Sequence, residues 1–210
     1  MTNNDINAKS LPPAGNVYNK YESKNPIVKR LMTGFTSSLH ELLALSNASD
    51  IHEIGCGEGY LSTGVLSGQG RTVRGSDLSA EMVDSAKSRA ISLGIPPSFK
   101  VSSIYDLKPD EDSAELIVCC EVLEHLDRPD LAIELLSRLA KPYLIVSVPR
   151  EPVWRILNLM RAKYITSLGN TPGHIQHWSK AGFLGFIGKY LDIIRVLSPL
   201  PWTMALCRKR

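Results

Sequence analysis

Little in this sequence suits the outside of a cell or the inside of a membrane. Only four of its 210 residues are cysteine, Cys56, Cys119, Cys120 and Cys207, and no two of them make a C-x-x-C pair. Three lie in segments that read as strands or a strand end, so buried, reduced thiols and a cytoplasmic setting are expected. No apolar run approaches the length that crosses a bilayer. The opening residues are polar and lack the apolar stretch of a signal peptide. Charge of one sign is scarce as well. A formal net charge of +3 is too weak to imply nucleic acid, and Arg208-Lys209-Arg210 reads as a solvated tail.

What is present is ordinary for a globular protein. With 43% hydrophobic and 21% charged residues, the chain has ample apolar material for one core, and its length favours one domain. Residues 1–15 carry Asn, Asp, Ser, Pro and Gly without periodicity and read as a disordered or loosely attached lead. A single domain is expected over 16–210. Its first helix begins at Asn25-Pro26, with Asn25 as the cap and Ile27, Leu31, Phe35, Leu39 and Leu42 at helical spacing.

From residue 50 the pattern changes. Short apolar runs at 51–54, 72–75, 98–102, 116–120 and 143–148 alternate with helix-like stretches at 60–66, 80–93 and 129–139. Strands alternating with helices predict an α/β fold, a parallel sheet with helices on both faces. A substrate-side insertion over about 150–178 is expected next, with an amphipathic helix at 154–164 and a Gly/Asn/Pro/His loop through His177. A helix over 179–190 and two strands, 192–197 and 202–207, then close the chain as a hairpin.

The first strand runs through Glu53 into Gly55-Cys56-Gly57-Glu58-Gly59. Glycines between a strand and a helix let a ligand approach the backbone closely. The spacing is G-x-G-x-G, where a dinucleotide loop reads G-x-G-x-x-G. An acid before the loop disfavours a phosphate and suits an amino group or a positive centre. Asp77 closes the next strand, where an acid accepts hydrogen bonds from two ribose hydroxyls; the structural alternative is a cap on the following helix, for which Ser79 is the better residue.

Three segments together, Glu53-Ile-Gly-Cys-Gly-Glu-Gly59, Gly75-Ser-Asp-Leu-Ser79 and Val118-Cys-Cys-Glu-Val-Leu-Glu-His125, resemble the class I S-adenosylmethionine-dependent methyltransferases, of the sort that includes ubiquinone-biosynthesis O-methyltransferases. The resemblance covers about residues 50–150. It implies a Rossmann-like, seven-stranded, mostly parallel sheet with an antiparallel last strand. It also implies that Gly55, Gly57 and Gly59, with Cys56 between them, lie under the cofactor's amino-acid part and ribose, with Glu53 supporting the loop. Asp77 would bind the ribose, Leu78 and Met82 would pack near adenine, and Ser103 and Ile104 would sit at the adenine edge. Ser103 stands where the family often has Asp. Glu121 would lie beside the methyl donor, and Tyr18 and Tyr21 would close over the cofactor.

The acceptor side is less defined. Glu121-Val-Leu-Glu124-His125 has the spacing E-x-x-E-H, which offers two carboxylates and an imidazole to a divalent ion such as Mg, Mn or Zn, with His177 as a further ligand. The alternative is a metal-free site in which His125, His174 or His177 acts as general base. Trp154, Leu157, Leu159, Met160 and Tyr164 can cover an apolar or aromatic acceptor, and Arg150, Arg155 or Arg161 can meet an acidic group. The expectation is methyl transfer to an oxygen of a small molecule. An RNA methyltransferase and a non-catalytic cofactor-binding subunit are the alternatives.

Overall fold

The computed structural model describes residues 21–160, 167–171 and 173–210. The expected lead at 1–15, Tyr18, Arg161 and Tyr164 lie outside them. Helix α1 (Pro26–Ser46) is capped by the Asn25 side chain, which accepts the Ile27 amide proton at 2.9 Å, and ends at Asn47 in the left-handed conformation. Its buried face is Val28, Met32, Phe35, Leu39, Leu42 and Leu43, while Ile27 is two-thirds exposed. The expected stripe is therefore shifted at its start. Stepping back from Phe35 by three and then seven residues lands on Met32 and Val28, because 3.6 residues per turn drifts off a strict spacing of four.

The strands are β1 (Asp50–Ile54), β2 (Thr72–Asp77), β3 (Phe99–Val101), β4 (Ala114–Cys120), β5 (Ala140–Pro149), β6 (Leu191–Leu197) and β7 (Trp202–Lys209). They form one sheet in the order β3-β2-β1-β4-β5-β7-β6. The first five are parallel, and β7 runs antiparallel to both β5 and β6. This is the Rossmann-like sheet with a reversed last strand.

Successive residues of the inner strands point to opposite faces. In β4, Leu116, Val118 and Cys120 pack with α1, whereas Ile117 and Cys119 pack with helix α4 (Pro129–Leu139), which follows α2 (Ala80–Ser92) and the short α3 (Pro109–Asp112). Two apolar layers result, one on each side of the sheet. All four cysteines are free and buried, and burial pushes the Cys207 thiol up to about 12. The basic end is exposed, as expected of a solvated segment, but it is no loose tail: Lys209 ends β7, and Arg210 donates to Asp192 Oδ1 at 3.0 Å and to the Gly188 carbonyl at 2.7 Å. No helix among the described residues is long and apolar enough to cross a membrane.

Strand order reverses between β1 and β4, whose successors lie on opposite sides. In such sheets a crevice opens beyond the carboxyl ends of the two strands. The glycine loop and Glu121 both lie at that edge.

Candidate active site

The three loop glycines adopt positive φ, +76° at Gly55, +51° at Gly57 and +75° at Gly59, but for different spatial reasons. A Cβ on Gly55 would stand 2.2 Å from Val122 Cγ2, and one on Gly59 would stand 3.0 Å from Ala86 Cβ on helix α2 (Ala80–Ser92). Gly57 has nothing within 4 Å. Two glycines thus let protein parts meet, and the third faces open space that a ligand can fill.

Asp77 ties this loop to β2. Its Oδ2 accepts the Gly57 amide proton at 2.8 Å and its Oδ1 accepts that of Ser79 at 2.9 Å. Each carboxylate oxygen has two lone pairs, so capacity remains for two hydroxyls. Ser79, not Asp77, caps α2 by accepting from the Met82 amide.

Glu53 is 3% exposed and accepts the hydroxyl proton of Ser62, in the π-helical turn Ser62–Leu66 that follows the loop. Burial pushes its carboxyl up to about 8, with the Asp77 charge adding to the rise. Glu53 is therefore a neutral post beneath the loop near pH 7, and the acidity at the loop comes from Asp77 and Glu58 instead. Leu78 is 59% exposed at the rim, while Cys56, Met82 and Ile104 are buried. The Ser102 amide donates to the Asp77 carbonyl at 2.9 Å, which sets Ser103 and Ile104 beside that rim.

Across the crevice, Glu121 has φ +61°, a conformation that a non-glycine residue holds only when its surroundings fix it. The indole Nε1 of Trp202 donates to Glu121 Oε2 at 2.6 Å, and the Ser147 hydroxyl donates to Oε1 at 3.3 Å. From Trp202 an aromatic wall extends. Its ring meets Phe35 edge-on at 5.0 Å and Trp154 at 5.9 Å; Trp154 lies 5.8 Å from His174, and His174 meets His125 edge-on at 4.8 Å.

The Glu124 carbonyl accepts the amide protons of Ile175 and Gln176 at 2.9 and 3.0 Å, which clamps this loop to the 121–125 turn and sets His174 inward. His125 Nδ1 donates to the Gly173 carbonyl at 2.9 Å, so Nε2 is its basic nitrogen. Glu124, His125 and His174 each offer a ligand atom within 4.8 Å of the others. His177 instead bonds Asn170 Oδ1 at 2.8 Å. The expected metal set of Glu121, Glu124, His125 and His177 is thus brought together only in part. His174 replaces His177, and Glu121 is held by Trp202 and Ser147.

Helix α5 (Val153–Met160) places Trp154 on the wall and turns Leu159 and Met160 to solvent. Arg155 Nε donates to the Leu168 carbonyl at 3.0 Å.

A family model described as a methyltransferase domain matches residues 51–143, the stretch that carries the glycine loop, Asp77 and the 121–125 turn. Over that stretch the chain is similar to methyltransferase domains. It is similar to the ubiquinone biosynthesis O-methyltransferase of Xylella fastidiosa strain 9a5c, with 26% identity over 71% of this chain and 64% of that protein. To the protein of the same name from Xanthomonas euvesicatoria pv. vesicatoria strain 85-10 it is 30% identical, over 71% of this chain and 66% of the other. The matches thus span less than two thirds of those two relatives' own length. The fold is similar to that of magnesium protoporphyrin IX methyltransferase from Synechocystis PCC 6803, solved with bound S-adenosylhomocysteine: TM-score 0.66, 22% identity, 90% of this chain and 89% of that one.

The cradle is built on residues legible from motif spacing. Ser62, Ser147 and Trp202 were not among them. Serines in a turn and in a strand carry no signal of their own, and Trp202 reaches Glu121 only because β7 is antiparallel beside β5. The one sequence hint is the Pro-Leu-Pro turn that starts β7 at Trp202.

Proposed function

We propose that this protein is a methyltransferase that transfers the methyl group of S-adenosylmethionine to an oxygen of a small, planar acceptor lying against the Trp154–Trp202 wall. The observation that carries the reading is this wall of two indoles and two imidazoles, set beside the glycine cradle and separated from it by Glu121 and Val122. The cradle suits the cofactor: open space at Gly57 takes its amino-acid part, Asp77 has acceptor capacity for two ribose hydroxyls, and buried Met82 and Ile104 offer an apolar seat for adenine. When bound, S-adenosylmethionine supplies an electrophilic methyl group on a sulfonium sulfur.

His125 or His174 takes the proton of the acceptor hydroxyl as the oxygen–methyl bond forms and the sulfur–methyl bond breaks. A neutral imidazole offers one basic nitrogen to a hydroxyl proton and is suited to this step. Trp154, backed by the buried Trp202, stacks on the acceptor and aligns its oxygen, and alignment supplies a large share of the rate. The names of the curated relatives are in keeping with an oxygen acceptor.

A second reading concerns the proton. The Glu124–His125–His174 cluster is a plausible seat for a divalent ion, which would lower the pKa of a bound hydroxyl. One experiment tests both. The protein is incubated with S-adenosylmethionine and a panel of phenols, catechols and aromatic amines, with and without a chelator, and products are identified by mass. Methyl ethers made in the chelator's presence support the imidazole route, and ethers made only in its absence support the ion. Methylation of the amines alone contradicts the oxygen reading.

A further inference from the structure

The segment that leads into α1 is fastened to the start of the turn that follows the glycines. The ring of Tyr21 lies flat on that of Tyr60, with centroids 4.7 Å apart and planes 7° from parallel. The Arg89 guanidinium, from α2, stands 3.8 Å from the centre of the same Tyr60 ring. Two flat groups at those distances cannot share one face, so Tyr60 is sandwiched between them. Arg89 Nε also donates to the Thr63 hydroxyl at 3.0 Å, and its Nη1 lies 3.8 Å from Glu22 Oε1.

One guanidinium thus touches the residue after the last loop glycine, a hydroxyl of the π-helical turn, and a carboxylate of the leading segment. A π-helical turn is rare and marks functional places in a chain. Tyr21 itself is half-buried, stacked on Tyr60. Burial pushes its hydroxyl well above the usual phenol range, and the facing carboxylates Glu53, Glu121 and Glu58 add to the rise. Its ring packs against the apolar layer that includes Leu61, just past the glycine loop, and Cys120, just before Glu121, so a ligand seated on the cradle lies beneath this segment.

We infer that Arg89 is a positioning residue that, through Tyr60, clamps the Tyr21 segment over the cofactor cradle, and that release of the spent cofactor waits for this clamp to open. The inference rests on the cofactor reading above. Cation–aromatic contact and ring stacking in a half-buried place are strong enough to change a release rate by about tenfold.

The test follows radiolabelled S-adenosylhomocysteine bound to the full chain and chased with unlabelled ligand. Arg89→Ala and Tyr60→Ala are expected to release the label about tenfold faster or more, and Tyr60→Phe, which keeps a ring between Tyr21 and Arg89, restores slow release. Arg89→Lys keeps the charge toward Glu22 but loses the flat surface, falls between, and serves as the readout if Arg89→Ala does not fold. Release rates of the Ala variants, or of Arg89→Lys in their place, within about twofold of wild type overturn the clamp alone. Wild-type protein that binds no label overturns the cofactor reading and the clamp with it.

Discussion

The Asp77 carboxylate accepts the amide proton of Gly57 at 2.8 Å, from a residue 20 positions earlier in the chain. The end of β2 is thereby locked to the middle of the glycine loop, and the cradle is a joint product of two strands. Asp77→Asn keeps the shape and loses the charge. A hydrogen bond to a charged group contributes about 1.5–3 kcal/mol, so calorimetric titration is expected to show S-adenosylhomocysteine binding roughly ten- to a hundredfold more weakly. Affinity unchanged in Asp77→Asn would remove Asp77 from the site.

The loop glycines separate stability from binding. Gly55→Ala forces a Cβ to within 2.2 Å of Val122 Cγ2 at φ +76°, and is expected to cost about 2–4 kcal/mol of folding stability. Gly57→Ala meets no protein atom within 4 Å, so its folding cost is about 1 kcal/mol for the left-handed backbone. Its methyl group nevertheless fills the space proposed for the cofactor. Denaturation and ligand titration on both variants check the contrast, which fails if Gly57→Ala binds as wild type does.

Glu53 gives a pH signature with a definite sign. Its folded-state value is raised from 4.5 to about 8, so the folded protein holds a proton that the unfolded chain has lost across that window. The stabilising contribution is full below pH 4.5 and is lost as pH rises through about 8. Glu53→Gln removes this loss and is expected to be more stable than wild type above pH 8, by on the order of 2 kcal/mol. Melting curves from pH 5 to pH 9 decide it: parallel pH profiles for the two proteins would show that Glu53 is ionised in the fold.

Trp202 and Glu121 should be coupled. Trp202→Phe keeps a ring against Phe35 and loses the indole donor to Glu121 Oε2. A cost of about 1.5–3 kcal/mol is expected, and the part owed to the hydrogen bond should vanish when Glu121 is already Ala, which has no acceptor, because a double-mutant cycle isolates the shared interaction. Additive effects in chemical denaturation would mean that the hydrogen bond contributes nothing.

The sequence spoke most clearly where one local rule acts alone. Helix α4 begins at Pro129 and ends at Leu139 as its pattern predicts, because a proline at the first turn and an apolar stripe agree. The strands are found by their apolar runs, and the glycine loop by its spacing. Long-range pairing was illegible. Which of His174 and His177 faces His125 depends on two amide bonds to the Glu124 carbonyl, and a pattern of residue types does not contain that choice. Glu53 supports the loop as expected, but its protonation was illegible for a similar reason. Its acidity is visible in the sequence, while the burial that neutralises it belongs to the packed sheet. The start of α1 differs by one residue in register, since Ile27 and Val28 are equally apolar and only packing selects between them.

The most direct measurement follows labelled methyl from S-adenosylmethionine into a cell extract, counted separately in small-molecule, RNA and protein fractions, with Asp77→Ala beside wild type. The account predicts label in the small-molecule fraction with wild type and its loss with Asp77→Ala. Label confined to RNA or protein would contradict the acceptor class, and no transfer into any fraction would favour a cofactor-binding subunit over an enzyme acting by itself.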